Sequence, residues 1–279
     1  MTIIDHSELF KRIQKLPALS AIVTELLSSI DQEDIDLDYI AQKISYDQVL
    51  TIKTLRLANS SFYGMQHKVS SLQEAIVILG FRNIRMLIAT SAIIDSFNAS
   101  TNSNFNFPAF WRHSIGTAVC AKEIAAHIGG NQEFAFITGL IHDIGQLALA
   151  TQYAGEYEQA QQYQIEHNCD LIMAEQAIMG TDHSEVGKAV AQHWKFPEAM
   201  QVAVARHHPQ DNEVLNQLSA IIHLANIFSL ALDLSELDAA VVPKISPVVW
   251  EQMKLDEPAC QLIFANTVTK FEEIARILI

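Results

Sequence analysis

The stretch FITGLIHDIGQLALA, residues 136–150, places His142 and Asp143 side by side inside an otherwise apolar run and follows them with Gly145. A segment this apolar belongs in a core, where an ionisable pair is out of place unless it has partners. The spacing predicts a helix that ends at His142 and Asp143, with Gly145 reversing the chain so that both side chains turn into one pocket.

Outward from this run the pattern stays helical. Val23, Leu26, Leu27 and Ile30 recur at i, i+3, i+4 and i+7, and Leu215, Leu218, Ile222 and Ser229 do so with one slip. No segment alternates convincingly as a strand. Glycine and proline sit where helices should begin or end, at Pro17, Gly64, Gly80, Pro108, Gly129, Gly130, Gly145, Gly180, Pro197 and Pro209. This punctuation implies about a dozen short helices, an all-α chain. Ser71 with Glu74 and Asp182 with Glu185 fit capping boxes, the first opening a helix that Gly80 closes. The asparagine-rich NASTNSNFNFP, residues 98–108, precedes a proline suited to the first turn of a helix. It marks a boundary between an N-terminal helical part, 1–100, and a larger helical unit, 105–279.

With 279 residues, 49% hydrophobic and 18% charged, the chain can bury a sizeable core. Its formal charge of -14 repels phosphate backbones and anionic lipid surfaces, so extended nucleic acid and membrane contacts are not expected. A local pocket can still take a small anion. Cys120, Cys169 and Cys260 are odd in number and far apart, which suits reduced thiols rather than a disulfide framework or a thiolate zinc site. The N-terminus lacks a signal-peptide pattern, and no run approaches the roughly 18 apolar residues of a membrane span. A cytoplasmic protein is the expectation.

Eleven histidines are present, and their placement matters more than their number. His113 lies in a predicted helix, FWRHSIGTAVCAKEIAAHIGG, whose Ser114, Thr117, Ala118, Ala121 and Ala125 would let another helix come close. His183 falls on the first turn of a helix in GTDHSEVG, and His207 with His208 closes a further helix before Pro209. Imidazoles and carboxylates gathered from several helices suit divalent iron, manganese, nickel or zinc. Such an ion lowers the pKa of bound water and polarises a phosphoryl oxygen, which makes phosphoester hydrolysis the implied reaction class. Any one histidine on an apolar face is more often a hydrogen-bonded core residue, and a histidine pair at a helix end can simply satisfy terminal carbonyls. Only the ordered combination carries the metal reading.

The ordered segments resemble the HDOD proteins, the HD-related output domains of the HD phosphohydrolase superfamily. In the N-terminal part the resemblance rests on LPALSAIVTELL (16–27), YDQVLTIKTLRLANSSFYG (46–64) and SSLQEAIVILGFRNIRML (70–87). In the C-terminal part it rests on FWRHSIGTAVCAKEIA, FITGLIHDIGQLAL, GTDHSEVGKAVAQHWKFPEAM, ARHHP and AIIHLANIFS. It implies an HD-domain-like helical bundle with an N-terminal helical subdomain. The implied role is a bacterial signal-transduction module that contacts a signalling protein partner or a small phosphate-containing ligand. Motif for motif, His113 takes the place of the first metal-binding histidine and His142 with Asp143 is the HD pair. His183, His207 and His208 resemble the added ligands of the two-metal HD-GYP branch. One or two divalent ions are therefore implied at these six residues, with Asp143 catalytic if the protein is an enzyme.

The chain departs from the hydrolase pattern at three places. Asn226, in HLANIF, replaces the closing ligand aspartate, and an amide is a weaker ligand than a carboxylate. Gln146 replaces the lysine that follows the HDIG motif, and PQDNEV after His208 lacks the GYP signature. Cyclic di-GMP cleavage is therefore disfavoured. The expectation is a stand-alone signalling module, since no receiver or cyclase segment flanks it within 279 residues. The alternative is a metal-dependent phosphohydrolase acting on a nucleotide or phosphomonoester. In LRLANSSFYG, Leu55, Leu57, Ala58 and Phe62 are read as core residues and Asn59 with Ser60 as a helix cap.

Overall fold

The computed structural model describes residues 4–16, 19, 23–25, 42, 44–46, 48–59, 68–97, 105–210, 212–235 and 242–279. Among the described residues the chain forms fourteen bounded helices and no strand. They are α1 (His6–Ile13), α2 (Gln48–Ala58), α3 (Leu72–Leu79), α4 (Phe81–Phe97), α5 (Phe107–Ile128), α6 (Gln132–Ile141) and α7 (Ile144–Gln152). There follow α8 (Ala154–His167), α9 (Leu171–Met179), α10 (His183–His193), α11 (Glu198–Ala205), α12 (Gln217–Ala231), α13 (Pro247–Met253) and α14 (Glu257–Leu278). Pro17, Leu26, Leu27, Ile30, Ser60, Phe62, Gly64 and most of the predicted boundary loop, residues 98–104, lie outside the described residues.

Local chemistry accounts for the helix ends. The Asn106 side chain accepts from Ala109 N–H to open α5, Pro108 sits in its first turn, and Gly129 ends it at φ 73°. The two predicted capping boxes cap as expected but close differently. Ser71 Oγ accepts from Glu74 N–H at 3.1 Å, while the Glu74 carboxylate reaches Ser70 N–H, one residue before the cap. Asp182 accepts from Ser184 and Glu185 N–H, and Glu185 in turn accepts from the Thr181 hydroxyl at 2.9 Å. Asn59 donates to the carbonyls of Leu55 and Val69 and accepts from Val69 N–H, so it both ends α2 and ties it to the start of the next segment.

Helix α5 is the axis of the bundle, packed against α6, α12 and α14, while α10 packs against α7 and α11. One apolar core holds residues from both sides of 98–104, with Phe97 edge-on to Trp194 at 5.8 Å. A second core lies between α5, α12, α13 and α14. The small face of α5 does what its composition implies: a Cβ on Gly139 of α6 would stand 2.8 Å from Ala118 Cα. Between α4 and α6 the Arg85 guanidinium donates to both Glu133 carboxylate oxygens, at 2% and 4% side-chain exposure.

Gly145 does not act as a chain reversal. It lies inside α7, where a Cβ would come 2.0 Å from the His183 carbonyl oxygen and 2.6 Å from Gly187 N. Its missing side chain lets α7 and α10 touch backbone to backbone. The stretch Gln132–Gln152, whose mean hydropathy reaches 1.3, is long and apolar enough to cross a membrane, contrary to the sequence reading. It is interrupted between α6 and α7 and is 89% buried inside the fold.

Three substitutions test this packing. Gly145→Ala should lower stability by about 3 kcal/mol through overpacking against rigid backbone. Gly155→Ala, with nothing within 4 Å of its added Cβ, should raise it by about 0.5 kcal/mol. Urea unfolding of both variants checks the contrast. Glu133→Ala removes the carboxylate to which the buried Arg85 guanidinium donates and should cost about 1.5 to 3 kcal/mol in the same assay.

Candidate metal centre

Four places in the bundle bring the histidines together. His113 lies in the early turns of α5, His142 and Asp143 occupy the break between α6 and α7, His183 opens α10, and His207 and His208 follow α11. Asp143, 5% exposed, is the hub. Its Oδ2 lies 3.3 Å from His142 Nε2 and 3.7 Å from His113 Nε2, while Oδ1 lies 3.2 Å from His207 Nε2 and 3.4 Å from His183 Nε2. His208 stands against His207 and His183, with ring centroids 4.1 and 5.2 Å away. All six residues singled out in the sequence thus meet, as two donor sets sharing Asp143. One set is His113, His142 and Asp143; the other is Asp143, His183, His207 and His208. Within each set the candidate ligand atoms lie within 4.8 Å of one another.

The donor chemistry fits a divalent cation. The Nδ1 atoms of His142 and His207 face the carbonyls of Gly139 and Val204 at 2.7 Å, and His183 Nδ1 faces Glu175 Oε2 at 2.7 Å. A carbonyl or carboxylate accepts only from an N–H, so each Nδ1 holds a hydrogen, and where the ring is neutral its lone pair is on Nε2. Those three Nε2 atoms and Asp143 Oδ1 are buried and have no hydrogen-bond partner. Orphaned buried polar atoms are costly, and three ring nitrogens turned toward one carboxylate with an unpartnered oxygen of its own are what a cation would satisfy. His207 meets both readings of a helix-end histidine: its Nδ1 donates to the Val204 carbonyl of α11 while its Nε2 faces Asp143.

Electrostatics divides the rings. Burial, reinforced by the neighbouring His142, lowers the pKa of His113 to about 4. Burial likewise lowers His207 to about 4 despite its contact with Asp143, and burial with repulsion from His207 and His183 holds His208 well below the usual histidine range. His183 is the exception. Burial would lower it, but the Glu175 carboxylate beside Nδ1, with help from Asp143, raises it to about 9. Burial alone would raise the Asp143 carboxyl, yet His142, His207 and His183 draw it well below the ordinary carboxylate value.

Three supporting residues escaped the sequence reading. Glu175, fully buried, accepts from both the backbone N–H and Nδ1 of His183, at 2.8 and 2.7 Å. Its signal was available, since it is the single charged residue in the apolar α9 sequence LIMAEQAIM. Tyr157, also buried, donates its hydroxyl to Gln146 Oε1 at 3.1 Å and so fixes the amide that stands where a lysine was expected. His223 accepts from Ser246 N–H at 3.2 Å through Nε2, which leaves the hydrogen on Nδ1 to donate to His207 O at 3.0 Å. Asn226, 5% exposed, stands beside His113 with its Oδ1 unpartnered.

Comparison with known proteins agrees with this architecture. An HDOD domain protein with unknown function from Geobacter sulfurreducens has a crystal structure that superposes with a TM-score of 0.76 at 26% identity, covering 98% of each chain. A Shewanella amazonensis SB2B protein named "Putative phosphohydrolase" matches with a TM-score of 0.77 at 25% identity, covering 97% of this chain and 98% of its own. An uncharacterized protein of Treponema pallidum (strain Nichols) is 25% identical over 226 residues, 80% of this chain. The chain spans 44% of that relative's length. The family model for the HDOD domain matches residues 16–210. A match of that extent, on a helical bundle that gathers the HD pair and its companion histidines, means that the chain belongs to the HDOD domain family.

Proposed function

We propose that the protein is a signal-transduction module whose His/Asp cluster binds a divalent cation and, through it, a small phosphate-containing ligand or a signalling protein partner, with little or no hydrolysis. The observation that carries this reading is the set of unpartnered buried polar atoms, the Nε2 atoms of His142, His183 and His207 turned toward the Asp143 carboxylate and that carboxylate's own Oδ1. A cation bound there would supply Lewis-acid attraction for an anionic oxygen. The protein's own groups hold the rings in place: Glu175 orients His183, and the Gly139 and Val204 carbonyls orient His142 and His207.

Two features weigh against efficient hydrolysis. Asn226 offers a neutral amide where a carboxylate would tighten a metal, and Gln146, held by Tyr157, brings no positive charge to a leaving phosphate. The alternative, a metal-dependent phosphohydrolase acting on a nucleotide or phosphomonoester with Asp143 as a catalytic residue, is supported by the same gathered donors and by the name of the Shewanella relative.

Hydrolysis assays with manganese or iron added separate the two. Turnover of generic phosphoesters should stay far below the usual enzyme range of about 1 per second or more. A rate in that range, abolished by Asp143→Ala, would establish the enzyme. Metal content measured on purified protein should fall in His142→Ala, and a cluster without metal after supplementation would sink the metal reading. Glu175→Gln should weaken metal binding by about 10- to 100-fold while leaving the helical circular dichroism unchanged.

A further inference from the structure

Helix α1 is eight residues long, too short to stay helical in water by itself, so it is helical because of what it rests on. Leu9, Ile13 and, beyond the helix, Leu16 enter the main core at i, i+4 and i+7, and Ile4 joins them from before the first turn. Phe10 is left half exposed.

Polar grips lie at its two ends. Ile4 N–H donates to the Met179 carbonyl at 2.9 Å. The Arg12 guanidinium donates to the Gln152 carbonyl and lies 4.3 Å from the centre of the Tyr153 ring. Both grips fall on helices that frame the cluster. Met179 ends α9 and is followed by the turn that delivers His183, while Gln152 ends α7, which starts next to Asp143. That turn is braced from within by Gln176, whose amide donates to Asp182 at 2.8 Å, and by the Thr181 hydroxyl, which donates to Glu185 at 2.9 Å. Ile4 adds a brace from outside, and α1 also packs on α10. One short helix thus grips α7, α9 and α10 together.

We propose that α1 is a releasable strap: seated, it holds the α9–α10 turn in place and so keeps His183 against Asp143, and withdrawn, it lets that turn loosen while the rest of the bundle stays folded. The strap is a control point for the site proposed above and rests on that reading only for the ligand that senses the change. Release is local because of where the stability lies. Helix α5 is buried over most of its length, and elements with few buried contacts open at lower free energy than such a core. The charged grip is partly in water, since Arg12 keeps 38% of its side chain exposed and also pairs with Glu8 at 3.3 Å.

The test is hydrogen exchange read by mass spectrometry on the full chain, first without added metal. In the wild type α1 should exchange faster than α5. Leu9→Glu combined with Ile13→Glu expels the apolar face and should speed exchange from Gly180 to Glu185 by about 10-fold or more, with α5 and α12 unchanged. Arg12→Ala should speed it by about 2- to 5-fold. Phe10→Ser, on the exposed side, should leave it alone. Cobalt(II) titrated into the same proteins should bind the double variant about 10-fold more weakly than the wild type. Wild-type exchange from Gly180 to Glu185 in the variants, or α5 opening together with α1 in the wild type, would overturn the strap. If the double variant does not fold, Arg12→Ala decides the matter. A loosened turn with unchanged cobalt affinity would overturn its control of the site. Absence of bound cobalt in every protein would remove the metal reading and leave the strap to the exchange result.

Discussion

A carboxylate taken out of water must be met by positive charge or by hydrogen-bond donors, and Asp143 is met by imidazoles from four separate parts of the chain. Much of the surrounding architecture is intelligible as a response to that demand. The rings that face the carboxylate are tethered from behind, by backbone carbonyls at His142 and His207 and by Glu175 at His183. Glu175 is itself a buried charge, tolerated because His183 supplies two donors to one of its oxygens. The anionic and imidazole groups thus stabilise one another in a chain, each solving the burial problem of the next.

That chain works only at very short helix separations. Gly145 and Gly187 sit where α7 crosses α10, and Gly139 sits where α6 crosses α5. These contacts bring the start of α10 against the start of α7, and therefore His183 against Asp143. A helix bundle with ordinary side chains at these crossings would hold the same residues too far apart to share a carboxylate.

The parts of this arrangement differ in how plainly the sequence states them. The helices were legible because apolar spacing, caps at Ser71 and Asp182 and the stop at Gly129 are local signals. The six cluster residues were legible through their order along the chain, which resembles the HDOD pattern. Gly145 was misread as a helix stop, since a glycine required by a neighbouring helix looks the same in one dimension as a glycine required by a left-handed turn. Its neighbour in space, the His183 carbonyl, is far away in sequence. Tyr157 and His223 were missed for the same reason: their meaning lies in a partner, Gln146 in one case and the His207 carbonyl with Ser246 N–H in the other. Glu175 could have been found as an isolated charge on an apolar helix, but its pairing with His183 could not.

The cluster has a kinetic side as well. Its members run from His113 to His208, and α5, which carries the first of them, is packed against α14 at the far end of the described chain. Contacts this distant in sequence carry a loop-closure entropy that contacts within one helix do not. During synthesis His113 emerges well before His207 and His208, the last of its partners. The assembled cluster is therefore a marker of a finished bundle, present when the whole chain from α5 to α11 has come together and absent from any shorter intermediate.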